Sequence, residues 1–305
     1  MTVPVIFSVN DQYVAPLTVA MTSLVHHVAN DQQYHLIVLN DGLTAEHQHS
    51  LKQLARKNVS VDLVSMGNQF KQVLAGETGK LRGDTMTLTI FFRLFIAELF
   101  PEYDQAVYLD ADTIIECDIA ELARINLGHK LIAAAPDVFA GNNPEAAGYA
   151  EKVLGLPINQ YINSGVLVMN LAQMRADHFS ERFAALHAAT AVETIAPDQD
   201  YLNAMCAGQV VFLPQIWNAN SMATPKVDNP KIIHFCLFEK PWHYLNVTYA
   251  ERFWHFAHLT PYESELLAQR NAYTAAEREH DREGAQALIA RTVQMAQTSA
   301  PLINQ

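Results

Sequence analysis

Short apolar runs closed by polar turns alternate with stretches of helical period along most of this chain. Val3-Pro4-Val5-Ile6-Phe7-Ser8-Val9 predicts a buried strand, and Asn10-Asp11 breaks it. Val14, Leu17, Met21, Leu24 and Val28 then recur at helical spacing over Tyr13 to Val28, with Pro16 tolerated in the first turn. His35 to Leu39 predicts a second strand, Thr44 an N-cap for a helix running to Lys57, and Val59 to Val64 a third strand. Thr89 to Phe100 reads as a very apolar helix with Arg93 in its middle, and Ala106 to Leu109 as a buried strand. Leu131 to Ala135, Gly165 to Met169, Val210 to Leu213 and Lys231 to Phe235 complete the strand candidates. Strands alternating with helices predict an α/β fold with a mostly parallel sheet and right-handed crossovers. Gly67 to Asp84 is polar and contains glycine, which predicts a loop able to close over a ligand.

Beyond about residue 260 the strand signal stops. Glu263 to Gln297 is predicted helical, with Leu288, Ile289, Thr292, Val293 and Ala296 forming one apolar stripe. The expected organisation is a main domain over 1–260 and a helical extension over 261–305. The stripe either packs on the body or offers a surface for a second copy of the chain.

The 305 residues are 50% hydrophobic and 17% charged, so a sizeable core is available and global disorder is excluded. Net charge is −12 and Arg56-Lys57 is the only adjacent basic pair, which argues against nucleic acid and anionic membrane as partners. Cys117, Cys206 and Cys236 are odd in number and scattered, with no CxxC pair; a reducing cytoplasm is the expected setting. The start of the chain lacks a basic segment ahead of its apolar run, so no signal peptide is expected. No uncharged apolar run reaches the roughly 18 residues of a membrane span.

Candidate chemistry begins at Asp110-Ala111-Asp112, directly after the predicted strand into Leu109. Ligands in open α/β sheets bind at the carboxyl ends of strands. Residues i and i+2 of a strand share a side, so both carboxylates can face one point. Hard oxygen donors so placed suit Mg²⁺ or Mn²⁺, which commonly also hold substrate phosphates; a solvated turn is the plain alternative. His234, at the end of another short strand, offers a nitrogen that shifts preference toward Mn²⁺. Lys240 offers a point charge for phosphate. Arg93 in an apolar helix requires a partner or must reach out to water. Asn163, ahead of a strand, and Asp198, at a helix start, are unremarkable taken singly. No GxGxxG follows the first strand, which argues against an NAD or FAD site, and GxxxxGK[ST], GxSxG and HExxH are absent.

Together Phe7-Ser8-Val9-Asn10-Asp11-Gln12-Tyr13, Phe92-Arg93-Leu94, Tyr108-Leu109-Asp110-Ala111-Asp112, Tyr161 to Leu171, Asp198-Gln199-Asp200 and His234-Phe235 with Lys240-Pro241-Trp242 resemble glycosyltransferase family 8 over about residues 3–257. That resemblance implies a GT-A fold, a single Rossmann-like mixed sheet flanked by helices, and retaining transfer of a hexose from a UDP-sugar to a saccharide or glycoconjugate acceptor. It implies Asp110, Asp112 and His234 as ligands of Mn²⁺, with Mg²⁺ the substitute. It implies Tyr13 stacking on uracil, Asn10 at its edge, Gln12 in the same loop, and Lys240 on the diphosphate. Arg93, Asn163 and Asp198 would surround the donor sugar, and Gln199 would lie beside the anomeric carbon. There its carbonyl dipole would stabilise an oxocarbenium-like state during front-face substitution, with covalent attack by Asp198 the alternative.

The chain departs from the family pattern at Val9-Asn10-Asp11-Gln12-Tyr13, often Ala-Asp-Asp-Asn-Tyr, and at Leu237, where a glycine commonly approaches the phosphates. The extension over 263–305 carries four Arg against six acids, which argues against membrane attachment through it. A nucleotidyltransferase would show a Gly-rich basic loop after the first strand, and Asn10-Asp11-Gln12-Tyr13 is neither. A non-catalytic UDP-sugar-binding or scaffold subunit is the other alternative, opposed by the intact Asp110, Asp112 and His234 set.

Overall fold

The computed structural model describes residues 2–67, 88–189, 194–298 and 301–302. The predicted closing loop, Gly67 to Asp84, lies outside these apart from Gly67.

Its strands are β1 (Thr2–Val9), β2 (Gln33–Asn40), β3 (Val59–Ser65), β4 (Gln105–Leu109), β5 (Thr113–Ile115), β6 (Ile132–Pro136), β7 (Ile162–Asn170), β8 (Val210–Phe212), β9 (Ala219–Asn220) and β10 (Ile232–His234). The helices used below are α1 (Val14–His27), α2 (Ala45–Lys52), α3 (Pro144–Lys152), α4 (Pro197–Met205), α5 (Ala250–Ala257), α6 (Glu263–Ala272) and α7 (Ala275–Thr298). Seven strands form one sheet in the order β3-β2-β1-β4-β7-β6-β8. The β3-β2-β1-β4 half is parallel, as the alternation of strands and helices predicts, whereas β7 runs antiparallel to both β4 and β6. The sheet is therefore mixed and mostly parallel. Its inner strands are near-continuous apolar runs because both faces are covered. One apolar layer joins α1 and α5 to the sheet; the other holds Phe91, Phe92, Phe179 and Phe183.

The expected Lys231–Phe235 strand lies outside this sheet. It is β10, sandwiched between β5 and β9 in a second sheet of three short strands. Leu88–Phe95 is a 3₁₀ run, followed by a single α turn at Ile96–Leu99, where a continuous helix was expected. Four consecutive residues of the run, Phe91, Phe92, Arg93 and Leu94, are buried, so every face of it meets protein. Thr44 does cap α2, accepting from the His47 N–H, but that helix ends at Lys52. Asp198 sits inside the first turn of α4, behind Ala196 as N-cap.

The extension is two helices, α6 and α7, separated at Tyr273-Thr274. Helix α7 packs along α3 of the same chain, with Ala296 against Gly148, and buries Leu288, Thr292 and Met295; Val293 is exposed, so Met295 takes its place in the stripe. Among the described residues no helix is long and apolar enough to cross a membrane.

Candidate active site

Asp110 and Asp112 converge by a route that differs from the one strand parity suggests. Strand β4 ends at Leu109, and Asp110-Ala111-Asp112 is a turn that delivers the chain to β5. The turn is pinned by Thr113 Oγ1 donating to the Asp110 carbonyl at 2.8 Å, and by the Asp110 N–H donating to the Gly165 carbonyl at 2.8 Å. Thr113 then pairs with His234 across β5 and β10, and the Phe235 N–H donates to the Asp112 carbonyl. The small second sheet thus carries His234 to the carboxylates. Its Nε2 lies 3.2 Å from Asp112 Oδ1 and 3.7 Å from Asp110 Oδ2.

These three residues each present one donor atom, all within 4.8 Å of one another. Two carboxylates and one imidazole nitrogen are a fitting donor set for Mn²⁺. The space between them requires a glycine: a Cβ on Gly165 would stand 2.6 Å from Asp110 Oδ2 and would overlap the His234 ring. His234 Nδ1 is 3.0 Å from Asn218 Oδ1, and the Asn218 amide donates in turn to Asn163 Oδ1 at 2.9 Å. That relay places a proton on Nδ1 and turns Nε2 toward the two carboxylates.

Arg93 finds the partners its sequence context demands. It is 4% exposed and lies across the Tyr108 ring at 4.4 Å. Nη2 donates to Asp110 Oδ1 at 2.8 Å, Nε is 3.2 Å from Asp198 Oδ2, and Nη1 donates to the carbonyl and hydroxyl of Ser164 at 2.8 and 3.0 Å. Burial alone would lower the guanidinium's pKa, but Asp110 and Asp198 outweigh it and raise it. One buried cation therefore joins the metal-type triad to the Asp198-Gln199 helix start.

Lys240 is 7% exposed and borders neither of the two cavities described below; it donates to Asp112 Oδ2 at 2.5 Å and to the Phe235 carbonyl at 2.6 Å. Burial would raise the Asp112 pKa, but Lys240 and His234 drive it well below the ordinary carboxylate range. Leu237, between His234 and Lys240, has φ +59°. The backbone here adopts the left-handed conformation that suits glycine, at a cost of about 1–2 kcal/mol for a residue with a Cβ.

Gln199 has a fixed amide. Oε1 accepts the Ser164 N–H at 3.0 Å, while Nε2 donates to Tyr161 Oη at 2.9 Å and to Asp137 Oδ2 at 3.2 Å. The Tyr161 proton is already given to Asp200 Oδ1 at 2.7 Å, so its oxygen can only accept from Gln199. Asp200 is fully buried and takes three further donors: Tyr149 Oη and the N–H groups of Ile195 and Ala196. Burial raises the Asp200 pKa against the pull of those donors. Asn163 completes the rim, donating to Asp137 Oδ2 at 3.0 Å and accepting from the Gly165 N–H.

Asn10 caps the turn Asp11–Tyr13, accepting the Tyr13 N–H at 3.1 Å. Asp11 ties this loop to the start of α2 through the Thr44 N–H and His47. Tyr13 is half-buried with its ring edge-on to Trp242. A cavity of about 210 Å³ runs from Asn10, Gln12 and Tyr13 to Arg93, Asp110 and Asp112. A second, of about 190 Å³, shares Ile90, Arg93 and Asp110 with it and continues past Asn163, Asp198 and Gln199. All eleven residues singled out in the sequence thus surround two adjacent cavities and the charged cluster beside them. Asn218, Ser164, Tyr161, Asp137 and Asp200 were not singled out as acting residues, although Ser164, Tyr161 and Asp200 stand within the quoted motifs.

An α/β sheet with adjacent cavities at its strand ends, and an acidic turn facing a histidine, defines a protein that binds its ligand at the carboxyl ends of its strands. The chain belongs to glycosyl transferase family 8, whose model matches residues 4–246. It is 25% identical over 257 residues to lipopolysaccharide 1,2-glucosyltransferase of Escherichia coli (strain K12), covering 78% of this chain and 72% of the relative. It is 22% identical over 268 residues to General stress protein A of Bacillus subtilis (strain 168), covering 76% and 85%. Among solved structures, the bifunctional glycosyltransferase WbbM superposes with TM-score 0.75 at 25% identity; 89% of this chain is covered, but it spans only 52% of that one. The galactosyltransferase LgtC, solved with donor and acceptor sugar analogues, shares the fold with TM-score 0.69 at 23% identity, covering 85% and 96%.

Proposed function

We propose that this glycosyltransferase moves a hexose from a UDP-sugar to a saccharide or glycoconjugate acceptor with retention of configuration, using a divalent ion held by Asp110, Asp112 and His234. The observation that carries this reading is the buried Arg93, which links that triad to Asp198 beside Gln199. The lipopolysaccharide glucosyltransferase relative favours a lipopolysaccharide-type acceptor. Residues 1–260 are read as the transferase domain and 261–305 as its helical extension.

Mn²⁺, or Mg²⁺ in its place, supplies Lewis-acid polarisation of the diphosphate when bound. Tyr13 stacks on uracil, Asn10 accepts from its edge with the lone pair left over from capping, and Gln12 lines the same loop. Arg93 with Asp198 and Asn163 holds donor-sugar hydroxyls. Lys240, paired with Asp112 in the free protein, supplies a point charge for the diphosphate. At an effective dielectric near 20, unit charges 4 Å apart attract by about 4 kcal/mol. Local cations therefore outweigh the net charge of −12, which is screened beyond about 8 Å.

Asp198 is poorly placed as a nucleophile. Its Oδ2 is paired with Arg93 and accepts from Ser164 Oγ at 3.1 Å. Front-face substitution is favoured: Gln199 Oε1 keeps one lone pair for the developing charge at the anomeric carbon, and the acceptor's proton goes to the departing phosphate oxygen. The alternative, a binding subunit without turnover, draws on Leu237 in the phosphate-side loop. UDP release from UDP-glucose, UDP-galactose and UDP-N-acetylglucosamine, with Mn²⁺ and with EDTA, decides between them. Metal-dependent release supports catalysis; tight UDP binding with no release from any donor supports the binding subunit.

A further inference from the structure

The second cavity has two unlike ends. One is the polar rim of Asp137, Asn163, Asp198 and Gln199; the other is walled by Phe139, Ala146, Ala150, Ile158 and Leu288. Its hydroxyl groups are already engaged. Tyr149 donates to Asp200 at 2.7 Å and accepts the Ile195 N–H at 3.2 Å, and Tyr161 is saturated in the same way by Asp200 and Gln199. Thr292 Oγ1, on α7, spends its proton on the Ile289 carbonyl at 2.6 Å. A sugar hydroxyl pushed against this wall would give up its hydrogen bonds to water without replacement. An apolar substituent would lose nothing and would gain burial.

The occupant is fixed by continuity. This cavity and the one beside Asn10 and Tyr13 share Ile90, Arg93 and Asp110 in their walls, so the group attached to a diphosphate there enters at the polar rim. Resting on the UDP-sugar reading above, we infer that the apolar end receives the methyl of an N-acetyl group on the donor sugar, with Leu288 and Thr292 of α7 as specificity-determining residues. Both lie beyond the 4–246 match to the family, so α7 supplies a wall of this chain's substrate pocket that the family match does not include. An acetamido group suits both ends: its methyl meets the wall while its N–H and C=O stay near the Asp137 and Asn163 rim.

Calorimetric titration of the full chain in Mn²⁺ tests this, with UDP as the reference ligand against UDP-glucose, UDP-galactose, UDP-N-acetylglucosamine and UDP-N-acetylgalactosamine. The N-acetylated donors are expected to bind at least about tenfold tighter than their parent hexoses, a difference of about 1.4 kcal/mol. Leu288→Asn is expected to shrink that ratio several-fold. Thr292→Val is the milder companion, expected to keep the fold and to preserve or widen the ratio. Equal affinities, or a preference for the plain hexoses, overturn the inference and leave the UDP-sugar reading standing. Equal donor affinities together with a preference for octyl over methyl β-glucoside as acceptor overturn it too, by assigning the wall to the acceptor. Failure of UDP itself to bind removes both.

Discussion

At the nucleotide end of the cleft, Asp112, Lys240, Arg93 and His234 are buried around a partly exposed Asp110, and each charge leans on its neighbours. At the sugar end, Gln199, Tyr161, Tyr149 and Asn163 are held by hydrogen bonds to two buried carboxylates, Asp137 and Asp200, beside an apolar wall. The first arrangement sums large opposing electrostatic terms, so removing one partner strands another in low dielectric. The second fixes neutral groups by directed hydrogen bonds, so removing one partner loosens an orientation. The nucleotide end should therefore answer mutation with large losses and the sugar end with graded ones.

Asp110→Asn should lower metal-dependent UDP release by about a thousandfold; a loss under tenfold would mean that the triad is not where charge is stabilised. Asp112→Asn leaves the Lys240 ammonium buried without its partner and should cost the metal-free fold about 3 kcal/mol in a urea titration. The sign with pH follows from the depressed Asp112 pKa: its contribution is full above the ordinary aspartate value near 4 and fades as pH falls below it. Asp112→Asn should accordingly flatten the acid limb of the stability curve.

At the sugar end, Tyr161→Phe deletes the nearer of two acceptors for Gln199 Nε2 and one donor to Asp200. Steady-state kinetics should show kcat falling by roughly tens of fold with donor KM within about twofold, and stability falling by about 1–3 kcal/mol. A change in KM alone would mean that the amide's orientation does not matter to the transition state. The smallest effect concerns the loop joining the two ends. Leu237→Gly should be more stable than Leu237→Ala by about 1 kcal/mol, because alanine keeps the unfavourable φ of +59° and glycine does not.

The two ends also differed in how far the chain's text revealed them. Asp110-Ala111-Asp112 and His234 each close a short apolar run, so local pattern was enough to nominate them, whereas Asn10, Gln12 and Tyr13 were nominated by the family resemblance. The reason the carboxylates converge was not local: it depends on β5 pairing with β10 and on Gly165 leaving room, contacts more than fifty residues apart. Arg93 was legible because an isolated charge in Phe92-Arg93-Leu94 has to be paired, but its partners were not. Asn218 and Asp137 carry no motif and acquire meaning only once β6, β7 and β9 bring them together. The parallel half of the main sheet follows from its alternating elements. The reversed β7 and the separate β10 sheet do not, since a short apolar run reads the same in either direction and in either sheet. Helix α7 was legible as an amphipathic helix, but no residue in it announced that it would wall a cavity.

The claim on which the rest depends is that Asp110, Asp112 and His234 hold one ion that in turn holds UDP. Titration of the protein with Mn²⁺, followed by the EPR signal of the free ion with and without UDP, measures it without any turnover. The account predicts one ion per chain, bound at least about tenfold tighter when UDP is present, and no such binding in Asp110→Asn or His234→Ala. Unchanged Mn²⁺ uptake in those two variants, or UDP binding indifferent to Mn²⁺, would contradict it.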